Sequence, residues 1–138
     1  MGALKEIVID ADHPASLARF WAAVLDGYAV RPYDEGEIAR LAALGFTPET
    51  DPTVMVDGPG PSLCFQIKPG PRPERNRVHV DVTAADRDAE IVRLTGLGAT
   101  FVREAEGYTV MRDPEGNNFC LVDRHWATRL RPAAAGRG

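Results

Sequence analysis

Histidine and cysteine are scarce in this sequence: it has three of one and two of the other. Two cysteines, Cys64 and Cys120, are too few for a disulfide scaffold, and both are expected as reduced thiols buried like small hydrophobes. No Ser-His-Asp or Cys-His arrangement is readable. The glycines of the one Gly-Pro-rich turn lack the following Lys-Ser or Lys-Thr of a phosphate loop. No apolar run approaches the roughly 20 residues of a spanning helix. A basic surplus is also missing. Lys and Arg number 16 against 20 Asp and Glu, for a formal charge of −4. That balance argues against nucleic acid or an anionic membrane as partner. The first residues, Met1 to Glu6, lack the basic start and apolar run of a signal peptide, so a cytoplasmic location is the expectation.

What is present suits one domain of ordinary size: 138 residues, 44% of them apolar. Residues 4–10 are rich in β-branched side chains and predict a strand. Asp12-His13-Pro14 turns into a helix, with Pro14 in the first turn where its missing N–H costs nothing. Leu17, Phe20, Trp21, Val24 and Leu25 then form an apolar helical face that ends at Gly27. Tyr28 to Val30 begins a second strand. Residues 35–44 carry Ile38, Leu41 and Leu44 on one side, as a short helix would. Thr53 to Val56 and Ser62 to Lys68 predict strands on either side of the turn Asp57-Gly58-Pro59-Gly60-Pro61. Residues 69–76 are a Pro- and Arg-rich linker.

The second half repeats the first. Strands are expected at 77–82, 100–103, 108–112 and 118–122, with a helix at 85–97 that ends at Gly98. Asp113-Pro114-Glu115-Gly116 predicts a turn in which Asp caps, Pro presets φ and Gly accepts positive φ. Ile7-Val8-Ile9-Asp10 matches Val78-His79-Val80-Asp81 at an offset of about 71 residues, an internal duplication. The order is β-α-β-β-β twice. The expected fold is therefore α+β: two βαβββ repeats forming a curved mixed sheet around a cleft, with helices outside. The modules span 1–69 and 76–123, within a single domain of 1–138. A flexible tail is expected over 124–138, including His125 and Trp126.

Three segments carry a family likeness: Asp12 to Trp21, Asn76 to Val82, and Asp113 to Leu121. Together they resemble the glyoxalase-like subfamily of the vicinal-oxygen-chelate superfamily. That superfamily holds isomerases, ring-cleaving dioxygenases, epimerases, thiol transferases and drug-sequestering binders, so the resemblance implies a fold and not a reaction. It also implies where a divalent metal would sit, held by His, Gln and Glu side chains from the first and last strand of each half. His79 matches such a position. The Glu of the last strand aligns with Cys120. The fourth strand offers Cys64, or Gln66 two residues on along the same face. The first strand offers Lys5, Glu6 or Ile7, of which only Glu6 ligates readily. The set is thus broken, and no native metal is expected. If a divalent metal is bound, its ligands are Glu6, Cys64, His79 and Cys120, a zinc-compatible mixture.

These residues lead to a small-molecule-binding protein of the glyoxalase-like type, free of cofactor. The residues expected to line its pocket are His79, Gln66, Cys120, Trp21 and Phe65, with Gln66 and His79 orienting a small organic ligand. Asp81 follows His79 onto the same face, where its charge needs water or a partner such as Arg112 or Arg77. The alternative is a metal-dependent lyase, isomerase or dioxygenase with an altered ligand set. A third possibility is an assembly component with no ligand of its own. By the same resemblance, the chain is expected to pair as a homodimer.

Overall fold

The computed structural model describes residues 2–68, 70–73, 76 and 78–124. Arg77 and the tail from His125 onward, Trp126 included, lie outside the described residues. The chain divides into two compact units, Met1–Pro71 and Arg72–Gly138. Eight strands and three helices are described. None of these helices is long and apolar enough to cross a membrane.

The first unit runs β1 (Glu6–Ala11), α1 (Pro14–Val24), β2 (Ala29–Val30), α2 (Glu35–Ala43), β3 (Thr53–Asp57) and β4 (Ser62–Ile67). Its mixed sheet has the order β1-β4-β3-β2, with β1 parallel to β4 and the other pairs antiparallel. Pro14 opens α1, as its fixed φ allows. Leu17, Ala18, Phe20, Trp21 and Val24 are buried, and Phe20 meets Trp21 edge-on at 5.4 Å. They pack across the sheet against Val54, Val56, Leu63 and Phe65, which are also buried. Gly58 is fixed by close approach, because a Cβ there would lie 2.4 Å from the Tyr28 ring. The Tyr28 hydroxyl in turn donates to the Pro61 carbonyl at 3.0 Å.

The second unit runs β5 (Val80–Ala84), α3 (Arg87–Gly96), β6 (Thr100–Ala105), β7 (Tyr108–Arg112) and β8 (Asn118–Asp123), with sheet order β5-β8-β7-β6. The expected α+β fold of two βαβββ repeats is present, as two four-stranded mixed sheets. The expected strand at 77–82 begins later, at Val80. Its limits follow the parallel ladder from Val80↔Phe119 to Ala84↔Asp123. The 85–97 helix begins at Arg87, because the Asp86 side chain caps it by accepting the Ala89 N–H at 3.1 Å. Leu94, Met111, Phe119 and Leu121 are fully buried.

The turn before β8 is held by Asp113, which is 2% exposed. Its Oδ1 accepts the backbone N–H groups of Glu115 and Asn117, each at 2.9 Å, and its Oδ2 accepts from the Asn117 side chain. Gly116 adopts φ +86° within this turn.

Candidate functional site

Alternation along a strand decides which side chains can meet a ligand. In the first unit, Val54, Val56, Leu63 and Phe65 face α1. Thr53, Met55, Asp57, Ser62, Cys64 and Gln66 therefore face the other way. Register places Cys64 between Val8 and Met55, and Gln66 between Asp10 and Thr53. The Gln66 amide donates to Asp10 Oδ1 at 3.0 Å.

Phe65 is fully buried and Trp21 is 4% exposed, both on the helix side. That corrects their expected place in a ligand pocket. Phe65 stands one residue from both Cys64 and Gln66, so it cannot share their face, and Trp21 is fixed in the α1 core.

Beside Thr53 and Met55, α2 borders an open cavity of about 290 Å³. Leu41, Leu44, Phe46, Pro52 and Met55 supply apolar walls, and Arg31, Tyr33, Glu37, Arg40 and Asp51 supply polar ones. Helix α2 is set by Asp34, which caps it by accepting the Glu37 N–H at 2.8 Å. Asp51 is 7% exposed and accepts from the Tyr33 hydroxyl at 2.7 Å and the Thr53 N–H at 2.9 Å. Burial and that carboxylate push the Tyr33 phenol well above its usual range. Arg31 forks onto Asp57 at 2.7 and 2.9 Å, and Ser62 donates to the same carboxylate. These bonds hold the Asp57 carboxyl down to about 2. The sequence offered no cavity here, only a short helix of mixed character. The clue was Leu41 and Leu44 with no partner strand assigned to them.

Glu6 and Cys64, two of the conditional metal ligands, interact with each other. Burial first, then the Glu6 carboxylate, raises the Cys64 thiol and keeps it protonated.

In the second unit, Val82, Ala84, Phe119 and Leu121 are buried with Leu94 of α3. The opposite face carries Asp81, directly across the ladder from Cys120, which in turn pairs with Val110 of β7. Cys120 is 1% exposed among Tyr108, Val110 and Val122. His79, just before β5, brings Nε2 to 3.4 Å from Asp81 Oδ1. His79 is thus a close neighbour of Asp81. Arg112, one of the expected partners, donates to Asn118 at 3.1 Å. Neither Cys64 nor Cys120 is in a disulfide and both are buried, as the sequence predicts. His13 is exposed at the mouth of α1.

The family model of the glyoxalase-like domain matches residues 6–122. The chain belongs to the glyoxalase-like family. No curated protein matches it. Among solved structures, this glyoxalase-like chain is similar to the fosfomycin resistance protein FosX of Mesorhizobium loti. The two are 14% identical with a TM-score of 0.65, over 94% of this chain and 98% of that one. A glyoxalase/bleomycin resistance protein/dioxygenase family enzyme of Burkholderia phytofirmans is 12% identical, with a TM-score of 0.60 over 88% and 98% of the two chains. The oxidase ChaP-H2 is 19% identical, with a TM-score of 0.59 over 92% and 97%. At these identities the likeness is one of fold, and it agrees with the duplicated βαβββ plan of the glyoxalase-like domain.

Proposed function

We propose that the protein binds a small organic molecule in the cavity between α2 and β3. The cavity itself carries this proposal. It joins the apolar surface of Leu41, Leu44, Phe46 and Met55 to a few converging polar groups, which is how ligand pockets combine affinity with orientation. A ligand with an apolar body and an anionic end suits it, with Arg40 at the charged end. Gln66 and Cys64 flank the floor through Thr53 and Met55.

No metal drawn from all four marked strands is part of this proposal. The Gln66 amide is already bonded to Asp10. We further propose that the protein works as a homodimer. In support, β1 is an edge strand of its sheet and exposes Ile7 (37%) and Val8 (49%). Light scattering at micromolar concentration that returns the monomer mass would refute the dimer.

The test of the pocket uses 8-anilino-1-naphthalenesulfonate, an aromatic body with one sulfonate. Saturable fluorescence enhancement is expected, weakened by Phe46→Ala and by Arg40→Ala in variants whose circular dichroism is unchanged. No enhancement, or enhancement indifferent to both changes, would overturn the assignment.

A second reading, a metal-dependent lyase, isomerase or dioxygenase, is favoured by the imidazole, carboxylate and thiol gathered in the second unit. A metal there would supply polarisation of a substrate carbonyl or enolate oxygen.

A further inference from the structure

From sequence, Asp81 is only a charge in need of a partner. Parallel pairing with β8 gives it a position as well, directly opposite Cys120. A ring nitrogen of His79, an Asp81 carboxylate oxygen and Cys120 Sγ all lie within 4.8 Å of one another. The His79–Asp81 separation of 3.4 Å exceeds the roughly 2.7–3.2 Å of a good N–H···O hydrogen bond. It matches the edge of a tetrahedron with donors about 2.1 Å from its centre, the length of zinc bonds to imidazole and carboxylate. The side chains of His79 and Asp81 keep 30% and 26% of their surface exposed, while Cys120 is sealed beneath them. The group therefore has a dry base and an open mouth.

We propose that His79, Asp81 and Cys120 form a metal site within the second unit that prefers zinc or another borderline-soft divalent ion. The resemblance calls for a carboxylate on β8, and this chain has a thiol there. Asp81 returns a carboxylate to the same spot from the neighbouring strand. On binding, Cys120 releases its proton to solvent, and the thiolate and carboxylate together neutralise the 2+ ion, so no net charge is left at the buried end. Thiolate ligation disfavours magnesium, calcium and manganese, which want oxygen. Three protein donors leave a fourth position for water or a ligand atom. The site uses no residue of the α2–β3 cavity, so either assignment can fail while the other stands.

Cobalt titration of tag-free protein, stripped of metal, tests the site. One equivalent of Co²⁺ is expected to give tetrahedral d–d bands and a near-ultraviolet thiolate-to-cobalt band, both lost on adding Zn²⁺. Cys120→Ser should abolish the near-ultraviolet band. His79→Ala and Asp81→Asn lie at the open mouth and should fold. Each should weaken cobalt binding by more than the roughly 10–100-fold that loss of an outer contact costs. Cys64→Ser should leave the spectrum unchanged. The site is refuted by an absent band, by a band that survives Cys120→Ser or disappears with Cys64→Ser, or by unaltered affinity in both mouth variants.

Discussion

Tyr33 donates its hydroxyl to Asp51 Oδ2 at 2.7 Å, and the carboxylate that receives it is 7% exposed. The bond ties the segment leading into α2 to the one leading into β3, and both residues line the cavity. Tyr33→Phe leaves a nearly buried carboxylate short of one donor. A loss of about 1–3 kcal/mol is expected in urea unfolding, together with weaker binding of the naphthalenesulfonate probe. Unchanged stability would show that Asp51 finds another donor.

Asp57 gives an acid-sensitive contact. Its carboxyl is held down to about 2 by Arg31 and Ser62, below its ordinary value near 4. A depressed carboxyl contributes stability above its unfolded pKa and loses it as pH falls toward the folded one. The loss should therefore appear between about pH 4 and pH 2. Both side chains are about half exposed, and solvent screening limits the effect to about 1 kcal/mol or less. Asp57→Asn should flatten that part of the stability curve and leave the plateau near neutrality slightly lowered.

Asp113 should be among the costliest polar side chains to remove. Asp113→Ala strands the N–H groups of Glu115 and Asn117 in a turn where the carboxylate was 2% exposed. A loss of about 2–4 kcal/mol is expected from a broken charged network. Asp113→Asn keeps an acceptor for the backbone and should fall between, as denaturant midpoints will show.

Phe65 separates core from pocket. Phe65→Ala should cost about 3–5 kcal/mol while leaving probe affinity intact at temperatures where the variant is folded. A selective loss of affinity would return Phe65 to the ligand site.

Element order was legible because local chemistry states it: Pro14 opens α1, Gly27 and Gly98 follow the ends of α1 and α3, and Asp113 to Gly116 turns into β8. Exclusion of Phe65 was legible as well, since it alternates with Cys64 and Gln66. Its aromatic character suggested a pocket where strand period forbids one. Two features could not be read. The cavity requires α2 to settle beside β3, which depends on tertiary contacts around Leu41 and Phe46. The pairing of Asp81 with Cys120 depends on a parallel register between segments joined by a helix and a hairpin, and no local pattern encodes that register.

The parallel pairing of β1 with β4 has a consequence for how the chain folds. Each β1 residue meets a partner 56 positions later, as Asp10 meets Gln66, so no short turn can bring the two strands together. The β3–β4 hairpin closes over a few residues and is free to form early, whereas β1 must wait for a long loop to close. During synthesis the first strand made is thus among the last of its own sheet to pair. Until Ser62 to Ile67 have been made, Ile7, Val8 and Ile9 stand as an unsatisfied edge. A nascent chain stalled before that point would offer this edge to any other strand within reach.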